Sequence, residues 1–575
     1  MKSSKRNKST KIENPPVQQG PKLWQWALGL FVALFIALEI YGPAIGGPFL
    51  YDDRYLPFMA PGIESVPLKA WLLGMRPFLM LTFWINFQFS GQNPYSYHVV
   101  NVLIHFVDAV LVALIVRKIL SWSKIKSDLA IVLSLFAGGL FLLHPLQTES
   151  VTYVASRSDS LSVLLFNTAF AVFVYRRRTA ASWPAAIGVL ALFGLAVLTK
   201  EHTAVLPALL LLTDYFWNPG FSFEGFRKNW RLYAPISAGA VLGLIFVWRV
   251  LSSAKSAGFH IKDLTWYQYF FTQCRAIWVY IRLFFLPVGQ NVDWDFPISH
   301  SILNHGAIFA LAGLVALAAA AWIYRRRCPL ASYGYFTFLL LLAPTSSVVP
   351  IADVLVEHRT YMPFLGLLLV VMEPLSRWKI SRTALATTLA VVLFLSAALT
   401  YQRNQVWSSS LALWSDSVQK SPRKARPRFQ LAFAYFEQHR CDEAVTEYAE
   451  AARLEKPTYD LLVDWAEAAD CAGNHEEAIK KLREAASIER SAHVWAQIGM
   501  VYGEQGKEAE SLDALAQASA IDPNYEMTYL YRGNVFATSQ QYDKAAAEYR
   551  HALEINPADQ QARDSLNMVI RHLKR

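Results

Sequence analysis

Charged residues are scarce in this sequence: they make up 17% of the 575 residues, whereas 54% are hydrophobic. The mean hydropathy is +0.24. A soluble domain cannot bury so much apolar surface, so lipid must be the solvent for part of the chain. This composition excludes a protein that is soluble throughout.

Cysteine is also rare, and the four cysteines have no spacing typical of a metal site. No HExxH pattern occurs, so the sequence predicts no metal and no cofactor. The apolar segment Trp24–Ile40 has no small-residue cleavage site, which favours a retained membrane span over a signal peptide. The net charge is +10, but the basic residues lie at the ends of apolar runs rather than on one face. That pattern predicts no nucleic-acid partner.

The composition changes near Tyr401, after which charged residues occur every few positions. We therefore predict an all-α protein with a polytopic membrane bundle followed by a water-soluble α-solenoid. The expected divisions are a cytoplasmic basic tail (1–22), a transmembrane domain (23–402), a leading helix with a linker (403–425), four repeats (426–558) and a capping helix (559–575).

About eleven apolar runs are predicted to cross the membrane. They are Trp24–Tyr41, His98–Val116, Leu129–Leu143, Leu161–Tyr175, Trp183–Leu198, Thr203–Phe216, Leu232–Val250, Ile302–Tyr324, Ala331–Val348, Met362–Leu375 and Ala384–Tyr401. The segment Tyr269–Pro287 is apolar but carries Arg275 and Arg282, so we expect it to lie on or dip into the outer face.

Basic clusters predict which connections face the cytoplasm, because such loops are enriched in Lys and Arg. The N-terminus carries Lys2, Lys5, Arg6, Lys8 and Lys11, and the later clusters are Arg117/Lys118/Lys124, Arg176–Arg178, Arg227/Lys228/Arg231, Arg325–Arg327 and Arg377/Lys379/Arg382. An odd number of spans then places the C-terminal domain outside.

From Arg426 the sequence repeats at about 34 residues, the tetratricopeptide period. Two registers hold small residues, as expected where the helices of a hairpin meet: Ala444, Ala478, Ser511 and Ala545, then Ala451, Ala485, Ala518 and Ala552. Cys441 and Cys471 fall at the turn ends of successive repeats, so we expect a disulfide between them in an oxidising compartment.

The predicted outer connections contain nearly all the unusual polar strings of the membrane half. They are YDDRYL (Tyr51–Leu56), RP (Arg76, Pro77), HPLQTES and SRSD (His144–Ser150, Ser156–Asp159), KEH (Lys200–His202), VDWD (Val292–Asp295) and EHRTYMP (Glu357–Pro363). Ionisable groups at a membrane boundary are costly unless they are paired or used. Their occurrence on one side predicts a shared outer cavity.

Each string also has a purely structural interpretation. Asp52 and Asp53 are compatible with a helix N-cap, whereas adjacent carboxylates raise one another's pKa towards that of a general base. Outer arginines are compatible with interfacial snorkelling or with a phosphate ligand. His144 fits a hydrogen-bonded helix end, Glu149 and Asp159 fit ion pairs to Arg157, and Glu357 is placed to hold Arg359.

In this order the strings resemble the transmembrane-and-tetratricopeptide-repeat O-mannosyltransferases, within the C-type (GT-C) class of integral membrane glycosyltransferases. YDDR after the first span is similar to the acidic motif of that family. The segments Arg76–His105, Leu142–Leu161 and Phe285–Phe296 follow in the order that the family has them. Arg403–Trp414 then leads into the repeats.

The resemblance implies inverting transfer of mannose or a similar hexose from a polyprenyl phosphate to a protein hydroxyl, with the repeats recruiting the acceptor. Asp52 or Asp53 would then be the general base. The leaving phosphate needs cationic donors, for which Arg76, Arg157, Lys200 and Arg359 are suited. The expected supporting residues are His144, Glu149, Asp159, Glu201, Asp293, Glu357, His358 and Tyr361.

Two other functions fit the sequence: a non-enzymatic membrane scaffold for envelope assembly, and a ligase or polymerase of lipid-linked glycans. A scaffold would tolerate neutral residues at Asp52 and Asp53. The expected partners are a lipid-linked sugar, an acceptor protein and membrane lipid. The expected location is a bacterial inner membrane with periplasmic repeats, or the ER membrane with luminal repeats.

Overall fold

The apolar runs of the first 406 residues form helices, which satisfy every backbone hydrogen bond inside lipid. A computed structural model describes residues 22–176, 180–253, 257–259, 261 and 264–574. The basic N-terminal residues, Arg177 and Arg178 lie outside this described part. The predicted fold class is confirmed: helices are the regular elements of the described residues, with one isolated bridge between Ala257 and Ile351.

Sixteen α-helices make up the membrane half in the described part. They are α1 (Leu23–Ile45), α2 (Leu68–Trp71), α3 (Pro77–Ser90), α4 (Pro94–Trp122), α5 (Ser127–Leu143), α6 (Thr148–Thr152), α7 (Arg157–Arg176), α8 (Trp183–Val197), α9 (Leu206–Trp217), α10 (Glu224–Lys228), α11 (Trp230–Ser253), α12 (Trp266–Phe285), α13 (Ala307–Tyr324), α14 (Pro329–Leu342), α15 (Phe364–Arg377) and α16 (Arg382–Val406). Short 3₁₀ turns lie between them at Tyr51–Tyr55, Pro57–Met59, Ile63–Ser65, Pro145–Gln147, Val154–Ser156, Glu201–Val205, Asn304–Gly306 and Glu357–Thr360.

Five helices of the described residues are long and apolar enough to cross a membrane. They are α1, α4, α16, Val154–Tyr175 and Asn304–Tyr324. A sixth is formed if α5 and the following Pro145–Thr152, bent by 51°, make one broken span. The predicted count of about eleven is therefore not confirmed.

Length explains much of the difference. The predicted spans Thr203–Phe216 and Met362–Leu375 form helices of 12 and 14 residues, α9 and α15. At a rise of 1.5 Å per residue such helices are roughly 18–21 Å long, shorter than a hydrocarbon core of about 30 Å. The helix α12 does not meet these criteria of length and apolarity, and its position on the outer face stays a prediction.

The predicted cytoplasmic clusters after α4, α13 and α15 meet at one end of the bundle. Lys124, Lys126, Arg377 and Lys379 line one cavity there. Arg377 donates to the carbonyl of Arg327, and Arg382 pairs with Asp128 at 3.0 Å. Basic side chains from three separate connections thus share an end.

The helices α14 and α15 cross at two glycines. A Cβ atom on Gly334 would lie 2.6 Å from the carbonyl oxygen of Gly366, and one on Gly366 would lie 2.6 Å from that of Gly334. Any larger residue must push the two backbones apart. This close crossing fixes α15, and therefore the EHRTYMP segment that leads directly into it.

The C-terminal half consists of ten helices that stack as hairpins. They are α17 (Ser410–Lys420), α18 (Ala425–Phe436), α19 (Cys441–Leu454), α20 (Tyr459–Cys471), α21 (His475–Ile488), α22 (Ala492–Glu504), α23 (Glu508–Ile521), α24 (Glu526–Thr538), α25 (Tyr542–Ile555) and α26 (Gln560–Leu573). The pairs from α18/α19 to α24/α25 are named repeats 1 to 4. All eight residues of the two small registers are fully buried at 0% exposure, because the paired helices meet there.

The predicted disulfide is present. Cys441 begins α19 and Cys471 ends α20, and their Cα atoms lie 5.8 Å apart, within the usual range for a bridge. The bond joins repeats 1 and 2. Cys274 and Cys328 are free.

We expect Gly366→Ala to destabilise the membrane domain by about 1–3 kcal/mol, because the added methyl group meets backbone atoms that cannot rotate away. Thermal unfolding of the detergent-solubilised full chain measures the effect. Gly188→Ala is the matched control, since Gly188 also lies inside an apolar helix but has no atom within 4 Å of its Cβ position. Equal melting temperatures for the two variants would contradict the close crossing.

Candidate active site

The polar strings predicted to share one face do meet in the structure. Asp53 accepts a hydrogen bond from the backbone of Ala155 at 2.7 Å, which joins YDDRYL to SRSD. Two ion pairs and one hydrogen bond join the other strings: Arg76 pairs with Glu201 at 3.0 Å, Lys200 pairs with Asp159 at 2.6 Å, and the His358 ring bonds to Glu149 at 2.6 Å. Segments far apart in sequence therefore form one polar layer.

A cavity of about 280 Å³ lies within this layer. Its charged and polar lining residues include Arg76, Asp159, Lys200, Glu201, His202, His358, Arg359 and Tyr361. The three cationic side chains outnumber the two carboxylates, so the lining carries one excess positive charge when both histidines are neutral. An enclosed site of this kind is complementary to a singly charged phosphodiester.

Arg359 is held by oxygen atoms of the neighbouring loop and of α12. Its guanidinium donates to the hydroxyl of Tyr269 at 3.1 Å and to the carbonyls of Val354 and Asp353 at 3.3 and 2.5 Å. The expected pairing with Glu357 is wrong. The Glu357 carboxylate instead accepts from the Gln290 side chain and the Asn291 N–H, both at 2.6 Å.

Glu149 fixes the turn that carries His358. Its carboxylate accepts from the backbone N–H groups of Glu357 and His358 at 3.0 and 3.3 Å, as well as from the His358 ring. The expected ion pairs of Glu149 and Asp159 with Arg157 are therefore also wrong, since His358 and Lys200 occupy those carboxylates.

Arg157 does not line the cavity. It is fully buried and donates to Asn101 at 2.7 Å, Asn86 at 2.9 Å and the carbonyl of Tyr97 at 3.0 Å. Its guanidinium also lies 4.6 Å from the ring centre of Phe83. These partners belong to α3 and α4, so Arg157 binds those helices to the start of α7.

Two supporting candidates have structural contacts of their own. His144 has its Nε2 3.0 Å from the carbonyl of Phe284, and its Nδ1 accepts from the N–H of Leu146, as a helix-end histidine does. Tyr361 lines the cavity, and its hydroxyl donates to Asp108 at 3.1 Å. Sequence reasoning missed Asp108, although an aspartate inside the long apolar helix α4 is itself a signal.

The two aspartates of YDDR differ in environment. Asp53 is 1% exposed and accepts from the N–H groups of Leu50, Val154 and Ala155, whereas the Asp52 side chain is exposed. Burial raises the pKa of Asp53 to about 7, although those N–H groups oppose the shift. The surrounding loops partly desolvate Asp52 despite its exposed side chain and so raise its pKa, opposed by the hydrogen bond with Tyr153 and by the charge of Arg426. Asp52 is thus the accessible carboxylate of the pair.

The residue before Asp52 has a strained backbone, which turns Asp52 outward. Tyr51 has φ of +52°, which is unfavourable for a residue with a side chain and is typical of functional loops. Its ring lies 6.2 Å from that of Tyr153 and 5.4 Å from that of Trp414. The N–H of Asp52 donates to the Tyr153 hydroxyl at 3.0 Å. Aromatic contacts on both sides hold the strained turn.

Repeat 1 contributes a residue to this layer that sequence reasoning missed. Arg426 donates to Asp293 at 2.5 and 2.6 Å and to Asp353 at 2.7 Å, and it lies 5.8 Å from the ring centre of Tyr51. Although burial opposes its charge, Asp293 raises the pKa of Arg426 above its usual value. Two features of the sequence could have indicated this contact: the acidic string VDWD and the basic run at 423–428. Asp293, one of the expected supporting residues, binds Arg426 and Lys424.

Comparison with known proteins covers both halves of the chain. Residues 492–525 and 528–559 match the family model of the tetratricopeptide repeat. Protein O-mannosyl-transferase TMTC1 of Homo sapiens is 26% identical over 72% of this chain and 54% of its own length. Protein O-mannosyl-transferase F38B6.6 of Caenorhabditis elegans is 21% identical over 75% and 63%. Protein O-mannosyl-transferase TMTC3 of Mus musculus is 22% identical over 85% and 54%.

The curated relatives are protein O-mannosyl-transferases. This confirms the resemblance that the polar strings and the repeats predict. The chain spans about half to two thirds of the length of these relatives. Among solved structures, the tetratricopeptide protein YrrB matches 32% of this chain and 88% of its own at 19% identity, with a TM-score of 0.24. TTC0263, a tetratricopeptide protein of Thermus thermophilus, matches 32% of this chain and 96% of its own at 19% identity, with a TM-score of 0.25.

Proposed function

We propose that this chain is a membrane glycosyltransferase that transfers mannose or a similar hexose from a polyprenyl phosphate to a hydroxyl of a protein acceptor. The observation that carries the proposal is the cavity where Arg76, Lys200 and Arg359 meet. The YDDR loop that carries Asp52 belongs to the same polar layer, because the neighbouring Asp53 accepts a hydrogen bond from Ala155. The names of the relatives, protein O-mannosyl-transferases, support the sugar and the protein acceptor.

The proposed reaction is a single displacement. Asp52 removes the proton of the acceptor hydroxyl, whose oxygen attacks the anomeric carbon. The bond from that carbon to the phosphate oxygen breaks on the opposite side, and its electron pair remains on the phosphate. The configuration at the anomeric carbon is thereby inverted. The second negative charge that develops on the leaving phosphate is stabilised by the excess positive charge of the cavity.

We place this site on the luminal or periplasmic face. The basic clusters at the other end of the bundle support that orientation by the positive-inside rule. The disulfide of repeats 1 and 2 supports an oxidising compartment for the soluble half. A free acceptor protein would then meet the repeats and Asp52 on the same side of the membrane.

Asp52→Asn should abolish transfer, with a loss of about 10²–10⁴-fold, and leave the melting temperature unchanged. Asp53→Asn should lower the melting temperature, because one amide oxygen cannot replace a buried carboxylate that accepts three N–H groups. Transfer of radiolabelled mannose from polyprenyl phosphate to a hydroxyl peptide, measured with the solubilised full chain, separates the two roles. Activity of Asp52→Asn within threefold of the unmodified chain would refute Asp52 as the base, and an unmodified chain that transfers no mannose would refute the enzyme.

Arg359→Lys should raise the KM for the lipid donor, since lysine keeps the charge but lacks the planar fork of donors. Arg282→Lys is the control: Arg282 is an exposed arginine on α12, and its guanidinium donates to the carbonyl of Val288 at 3.1 Å. A simple snorkelling role predicts that lysine substitutes equally well at both positions. Unchanged donor kinetics for Arg359→Lys would remove this residue from the donor site.

Arg426→Gln should move the acidic limb of the pH–rate profile to higher pH. The groups that face Asp52 are Tyr153, Arg426, Asp353, His358 and Asp53, and of these Arg426 carries a permanent positive charge that lowers the pKa of Asp52. Without that charge Asp52 gains its proton at a higher pH, and only the deprotonated base is active. Arg426→Lys should restore the original profile, whereas a loss of activity that is equal at every pH would indicate a role in folding alone.

A further inference from the structure

One face of α18 lies against the YDDR loop. Arg426, Phe433 and Glu437 follow one another at helical spacing and so share that face. Arg54 pairs with Glu437 at 2.9 Å, and its guanidinium lies 5.1 Å from the ring centre of Phe433. Since Arg54 is two residues from Asp52, this face of repeat 1 begins beside the proposed base.

The equivalent face of repeat 2 is acidic. By the repeat period of about 34 residues, Arg426 corresponds to Asp460 and Phe433 to Glu467. Asp460, Asp464 and Glu467 form a stripe along α20, in which neighbouring like charges lower the stability of the helix. Burial, together with the charges of Glu467 and Asp460, raises the pKa of Asp464 to about 7. A positively charged partner on this surface would relieve the mutual repulsion of these carboxylates.

The same surface continues into repeats 3 and 4. The carboxylate of Glu504, at the end of α22, lies within 4.8 Å of a carboxylate oxygen of Asp470 and a ring nitrogen of His475. Gln497 of α22 donates to Glu467 at 3.3 Å. Burial, with the charges of Glu467 and Glu504, raises the pKa of Tyr531 on α24 to about 12. The acidic face is defined here as Asp460, Asp464, Glu467, Glu504 and Tyr531.

We propose that the acidic face binds the acceptor polypeptide as an extended segment in which lysine or arginine accompanies the serine or threonine to be modified. This inference rests on the proposed function. Charge complementarity argues for a basic occupant, because carboxylates from two repeats lie together on one surface of a chain whose net charge is +10. The aromatic ring of Tyr531 offers a cation–π partner at the far end.

Continuity with the YDDR loop gives the proposal its direction. A segment that lies along α20 and α18 passes Glu437 and Arg54 before it reaches Asp52. A hydroxyl carried at that end is brought to the base, while the basic side chains remain on the repeats. The acidic face therefore selects the acceptor, and the membrane cavity selects the donor.

The test uses the full chain in detergent and a set of fluorescent serine/threonine peptides that differ only in carrying Lys, Gln or Glu between the hydroxyl residues. We expect the Lys peptide to bind most tightly, with an affinity that falls as salt is added. Asp464→Asn combined with Glu467→Gln should weaken its binding roughly five- to tenfold. The matched control is Glu510→Gln combined with Asp513→Asn, which removes the same charge from exposed positions on α23 and should not change binding.

Equal binding of the Lys and Glu peptides, or equal affinities for the two double variants, would overturn the acidic face as the acceptor site. Peptide binding and sugar transfer are read separately. If the Lys peptide binds as expected but no variant or condition yields transfer, the proposed function fails and the binding surface stands. If transfer proceeds at the same rate for all three peptides, the function stands and this inference fails.

Discussion

The ion cluster of Arg426 with Asp293 and Asp353 determines how the two halves of the molecule work together. It joins two membrane-domain loops to the first helix of the solenoid, and Lys424 pairs with the same Asp293. Breaking a buried ion pair costs about 3–5 kcal/mol, and less here, because the Arg426 side chain is 35% exposed. The cluster acts together with the Arg54–Glu437 ion pair and the contact of Tyr51 with Trp414, which join the same two halves of the chain.

The polar layer uses its carboxylates in two distinct ways. Asp53, Glu149 and Glu357 are buried and accept backbone N–H groups, so each holds a loop in one shape. Asp159 and Glu201 instead face cations of the cavity, where an incoming phosphate competes with them. Because the buried carboxylates hold the loops, the cavity cations can exchange Asp159 and Glu201 for a phosphate without a change in the backbone. A preorganised cavity of this kind needs little rearrangement to bind its ligand.

The sequence predicted those features that follow from periodicity or from local chemistry. The helical class, the four hairpins and the small-residue registers depend on spacing along one chain, and the Cys441–Cys471 bond follows from the stacking of neighbouring repeats. The count of about eleven crossings stays a prediction, because hydropathy cannot distinguish a short buried helix such as α9 from a span. The partners of charged groups were predicted least well. Partners distant in sequence bind Arg157, Glu357 and Asp293, and charge alone does not identify those partners.

Arg157 and Arg359 show why the distinction matters for a membrane site. Both are buried arginines beside the same polar layer, and both sit in strings that resemble the same family. Arg157 directs its donors to two asparagine side chains and a carbonyl of α3 and α4, which leaves it outside the cavity lining. Arg359 is held from behind by Tyr269 and two loop carbonyls, so its position is fixed while it borders the cavity. An arginine anchored by neutral oxygens keeps its full charge for a ligand, whereas one paired with a carboxylate does not. The absence of the expected Glu357–Arg359 pair therefore strengthens the case for a phosphate at Arg359.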